Sequence, residues 1–99
     1  MSAEKVIDIV SKECKNKCDL VVERAEYTNS LYFIISTEIC SIPLRISDHK
    51  TVRNIRSYQY SGKCDAIKIT KFIQRAIRSL KLKSSLVMIE RINGQKIFA

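Results

Sequence analysis

The sequence predicts an α+β domain: a helix, a three-stranded antiparallel meander, a second helix and a C-terminal β-hairpin. Three observations carry this prediction. Apolar residues recur at helical spacing in two separate stretches, one near the start of the chain and one after Asp65. Between them lie β-forming runs broken by polar turns. Near the end, Asn93-Gly94 gives a strong hairpin signal directly after another β-forming run.

The first helix is expected from about Ala3 to Lys15. Ser2 can cap it, and Glu4 suits the positive end of its dipole. Val6, Ile7, Ile9, Val10 and Cys14 share one side, whereas Lys5, Asp8, Lys12 and Lys15 take the other. Leu20 to Tyr27 reads as a strand, and Thr28-Asn29-Ser30 supplies turn chemistry. Leu31 to Ser36 is apolar on both faces and reads as a central strand. Ile39 to Ile46 alternates, with Cys40, Ile42, Leu44 and Ile46 pointing one way. Pro43 has no N–H to donate, which places this strand at an edge or a bulge. Thr51 to Ser61 reads as irregular, with room for a short strand near Arg56–Tyr60.

Asp65 caps the second helix, whose apolar stripe is Ile69, Phe72, Ile73, Ala76, Ile77 and Leu80. Lys68, Lys71, Arg75, Arg78 and Lys81 occupy the opposite face. Leu86 to Ile92 is expected to be a strand, returning through Asn93-Gly94 to Gln95–Phe98. Each helix has a single apolar stripe, so both should pack on one face of the sheet.

Ninety-nine residues suit a single domain, 1–99, that buries a modest core. The net charge of +8 favours an anionic partner: nucleic acid, an acidic protein patch or an anionic surface. The bland alternative is a charge that only keeps the protein soluble. No leader-like or membrane-length apolar run stands in the sequence, so a cytoplasmic protein with reduced thiols is expected.

Metal and cofactor chemistry find little support. Cys14, Cys18, Cys40 and Cys64 lack the paired short spacing of zinc sites, and His49 is the single histidine. Cys14 and Cys40 fall on apolar faces, as small buried hydrophobes do. Asp48 and His49 are adjacent in sequence, where side chains point apart rather than orienting one another. No bound metal, no cofactor and no enzymatic activity are therefore expected.

Binding has better candidates. Arg45, Asp48, His49, Lys50, Arg53 and Arg56 gather in one segment with Tyr58 and Tyr60, which could stack on bases. Lys68, Lys71, Arg75 and Arg78 add a helix face able to follow a phosphate backbone. The structural alternative is a solvated helix back, with the tyrosines at the rim of the core.

The stretch Leu44-Arg45-Ile46-Ser47-Asp48-His49 resembles the Arg-(Ile/Val)-Ser-Asp-His segment of small proteins of phages and mobile elements. That group includes anti-CRISPR and other anti-defence inhibitors. The resemblance implies a small inhibitor that binds a host protein or nucleoprotein complex in the host cytoplasm, and it assigns no residue roles. Direct nucleic-acid binding through the second helix is the alternative, and the oligomeric state is left open by the sequence.

Overall fold

The computed structural model describes residues 3–24, 30–47, 55–59 and 66–98, with side chains as far as Ile92. The elements run α1 (Ala3–Cys14), β1 (Asp19–Arg24), β2 (Leu31–Ser36), β3 (Ser41–Ser47), β4 (Arg56–Gln59) and α2 (Ala66–Phe98). This is an α+β fold: a four-stranded mixed sheet with two helices.

α1 closes much as its sequence suggests. The backbone N–H of Lys17 and that of Cys18 both donate to the Cys14 carbonyl, and Asn16 takes a positive φ of 62°. Asparagine tolerates that left-handed turn better than most residues, so the chain reverses here into β1. The Arg24 guanidinium reaches back to Glu4 at 3.3 Å and ties β1 to the start of α1.

β1, β2 and β3 form the expected antiparallel meander, with Val22 facing Phe33 and Phe33 facing Leu44. β4 then pairs parallel to β3, in register Leu44↔Arg56 and Ile46↔Tyr58. The sequence leaves room for this short strand, while its parallel pairing comes from contacts distant in sequence. Pro43 consequently lies in an interior strand, not at an outer edge. It is tolerated because the ladder to β4 begins one residue later, at Leu44.

Both helices pack on one face of the sheet. Val6, Val10 and Cys14 of α1 meet Leu31, Phe33 and Ile35 of β2, Leu44 and Ile46 of β3, and the α2 stripe. All six expected stripe residues of α2, from Ile69 to Leu80, are buried.

The C-terminal hairpin is absent: Leu86–Ile92 and Asn93-Gly94 continue α2. Leu86, Met88, Glu90 and Arg91 are strong helix formers, and no glycine or proline interrupts the helix before Gly94. Extending a helix already nucleated adds one hydrogen bond per residue, whereas a detached two-stranded hairpin is barely stable. The 33 residues of α2 span about 50 Å. The longest dimension of the protein is 56 Å, and its radius of gyration is 15.7 Å. A compact chain of this length would have a radius of about 13 Å, so the distal part of α2 stands out from the body.

Among the described residues, the hydrogen bond farthest along α2 that reaches the sheet side is at Ser84. Thr37, in the turn between β2 and β3, shares a 2.8 Å hydrogen bond with the Ser84 hydroxyl. The same Thr37 Oγ1 accepts from the N–H groups of Ile39 and Cys40, which fixes the turn. Among the described residues, no helix is long and apolar enough to cross a membrane.

Candidate functional site

The expected binding residues divide into three groups. Asp48, His49, Lys50, Arg53 and Tyr60 lie outside the described residues. Arg45 and Tyr58 belong to the packed body. Arg56, Lys68, Lys71, Arg75 and Arg78 come together on one exposed surface.

Arg45 is only 5% exposed. It lies on the sheet face away from the helices, in register with Tyr32 on one side and Ser57 on the other. Its Nη2 donates to the hydroxyls of Ser30 and Ser47, each at 3.2 Å, and those hydroxyls lie 2.7 Å apart. Ser30 and Ser47 are themselves buried. Arg45 and Ser47 thus form, with Ser30, an internal polar cluster joining the start of β2 to the end of β3, while Ile46 between them enters the core. Tyr58 is half-buried, with its ring 5.8 Å from that of Phe72 at a 40° tilt. Strand parity explains this: Tyr58 sits level with Ile46 on the helix-facing side of the sheet.

The exposed surface is built on α2. Burying Ile69, Ile73, Ala76 and Leu80 turns the opposite side of the helix outward. Lys68, Lys71, Arg75 and Arg78 stand there at i, i+3, i+7 and i+10, and all four are exposed. Glu90 is the single acid of α2, more than two turns beyond Arg78. Among the described residues, Lys71, Arg75 and Arg78 form no salt bridge.

Arg56 joins this surface from the sheet. Its place level with Leu44 points it toward α2, where Nη1 donates to Ser79 Oγ at 3.0 Å. Ser79 is one turn from Arg75 on one side and one turn from Lys83 on the other. The sequence showed the arginine but not its anchor, because the pairing depends on the parallel register of β4.

On the other flank of α2, a hollow of about 230 Å³ is lined by Lys17, Gln74, Ile77, Arg78 and Lys81. Lys17 also approaches Glu13 at 3.7 Å, and Gln74 donates to the same carboxylate at 3.4 Å. The hollow therefore keeps two cations, Arg78 and Lys81, clear of that acid. It extends the positive surface from the ridge of α2 toward the end of α1.

The Cys14 thiol adds no nucleophile to this surface. Burial, and then the neighbouring Cys18, push the Cys14 thiol up to about 12, so it stays protonated at neutral pH. Among the described residues, no three His, Cys, Asp or Glu side chains gather as metal ligands would. The surface offers charge, hydrogen-bond donors and a rigid axis; it can bind an anion. No protein-family model, curated protein or solved structure matches this chain.

Proposed function

We propose that this protein is a non-enzymatic binding module that holds nucleic acid along the outward face of α2. The supporting observation is the row Lys71, Arg75 and Arg78, exposed on one side of a continuous helix and, among the described residues, in no salt bridge. The row from Lys68 to Arg78 covers about 15 Å of helix. An α-helix about 10–12 Å across fits a major groove about 12 Å wide, and it can equally run beside a phosphate backbone. Arg56 widens the contact, and its guanidinium can pair with a phosphate in two parallel bonds.

Recognition of this kind is led by phosphate and depends on salt. Engaging about four phosphates gives a slope of log affinity against log salt of about −3 to −4. The test is fluorescence anisotropy with single- and double-stranded oligonucleotides at two salt concentrations. Lys71→Glu/Arg75→Glu should abolish binding and flatten the slope, while Lys12→Glu/Lys15→Glu, an equal charge change on α1, should weaken it modestly. Equal losses from the two pairs would reduce the effect to net charge and defeat the reading.

The six-residue resemblance supports a second reading, an anti-CRISPR-like inhibitor of a host nucleoprotein complex. A protein partner that survives nuclease treatment in a pull-down, together with no affinity for free oligonucleotides, would favour it.

A further inference from the structure

From Leu82 onward, α2 carries an apolar stripe that faces away from the body. Leu82, Leu86 and Ile89 are 63%, 53% and 53% exposed, with Ile92 on their flank. Their spacing of i, i+4 and i+7 sets them on one side of the helix. That side is roughly half a turn from the one on which Ile73 and Leu80 enter the core. The stripe faces away from the sheet, so the body cannot cover it. A helical extension this short is marginal in water without a packed face.

The charges beside the stripe select its occupant. Lys83 and Glu90 are seven residues apart and therefore lie on the same flank. Neither has an opposite charge at three or four residues' distance. Glu90 has Leu86, Val87, Asn93 and Gly94 there, and Lys83 has Ser79, Leu80, Leu86 and Val87. An antiparallel second copy supplies what each lacks. With Leu86 of one chain against Ile89 of the other, Lys83 of each faces Glu90 of its partner. A parallel pair would instead set this flank against the opposite one, where Ser85 stands, leaving Lys83 and Glu90 without each other, and would bring Arg75 and Arg78 alongside their copies.

We propose that the protein forms a two-fold antiparallel homodimer through the 82–92 stripe of α2, centred on Leu86 and Ile89 and framed by reciprocal Lys83–Glu90 pairs. Eleven helical residues run only about 16 Å. Such a contact is smaller than a standard interface of about 800 Å² per partner. The dimer is accordingly concentration-dependent, forming between micromolar and millimolar protein.

Analytical ultracentrifugation of the full chain across that range tests the proposal. Mass should rise from 11.4 kDa toward twice that value. Leu86→Ser/Ile89→Ser should remain monomeric while its thermal melt at low concentration stays that of the wild type, since neither residue belongs to the core. Lys83→Glu and Glu90→Lys should each weaken the dimer about tenfold, because two symmetric contacts become repulsive. The double variant Lys83→Glu/Glu90→Lys should restore the wild-type affinity. A monomer at every concentration would overturn the proposal, and so would a stripe that engages only a different protein. A dimer that survives Leu86→Ser/Ile89→Ser, or charge reversals without mutual rescue, would do the same.

Discussion

Thr37 and Ser84 share a 2.8 Å hydrogen bond that marks where α2 parts from the sheet. Thr37 serves three partners through one oxygen: the Ser84 hydroxyl and the backbone N–H groups of Ile39 and Cys40. Thr37→Val keeps the side-chain shape and removes all three. It should cost about 1–2 kcal/mol in urea denaturation, more than Ser84→Ala, which removes one bond worth about 0.5–1 kcal/mol. An equal or reversed order would mean that the turn does not depend on its threonine.

The two sides of α2 should separate stability from binding. Phe72, 7% exposed and packed on Tyr58, should lose about 3–5 kcal/mol on change to alanine. Its neighbour Lys71 points outward, and Lys71→Ala should stay within about 0.5 kcal/mol of the wild type. Thermal melts in the opposite order would mean that the helix is rotated from its described phase.

Arg45 should behave as a residue of the fold. Arg45→Ala removes both charged hydrogen bonds to the Ser30 and Ser47 hydroxyls, which keep only the bond between them from this cluster, and should destabilise by about 2–3 kcal/mol. Arg45→Lys cannot place a second fixed donor plane between those hydroxyls, so it should recover only part of the loss. Both variants, where folded, should retain nucleic-acid affinity within a few-fold. A large drop in affinity at unchanged stability would transfer Arg45 to the binding surface.

Alkaline stability should carry a signature of Cys14. Its thiol holds its proton up to about 12 in the folded protein, against an ordinary value of 9.0. Between those values the unfolded chain releases a proton that the folded chain keeps, so rising pH favours unfolding. The contribution is intact below pH 9 and is lost progressively as pH rises toward 12. The urea midpoint of the wild type should therefore fall more steeply from pH 9 to 11 than that of Cys14→Ala. Parallel declines would mean that Cys14 does not carry the effect.

Much of the body was legible because local periodicity and final burial agree. The α2 stripe from Ile69 to Leu80 repeats at helical spacing, and β2 is apolar enough to mark a central strand. The misreadings have two causes: propagation of a helix past its first stripe, and contacts distant in sequence that outweighed local pattern. Leu86-Val87-Met88-Ile89 looks like a strand by composition, yet it follows an established helix and inherits its hydrogen bonding. Arg45 has the outward parity of a solvent-facing residue, yet it is buried, and Ser30, fifteen residues earlier, joins Ser47 in accepting its hydrogen bonds. Arg56 was recognised as a cation. Its link to Ser79 required the β4 register, which no local spacing encodes.

The change of apolar side along α2 sets a condition on chain length. Proximal to Ser84 one side of the helix answers to the sheet, and distal to it the outward stripe continues through Leu86 and Ile89, with both phases locked by one continuous backbone. One residue inserted between Ser84 and Ser85 would leave every core contact intact, yet swing the distal stripe by about 100° and advance it about 1.5 Å. Three or four inserted residues would nearly return it to its bearing. Tolerance to insertion at this point should therefore oscillate with the helical repeat: the junction meters direction, and the fold itself is blind to the count.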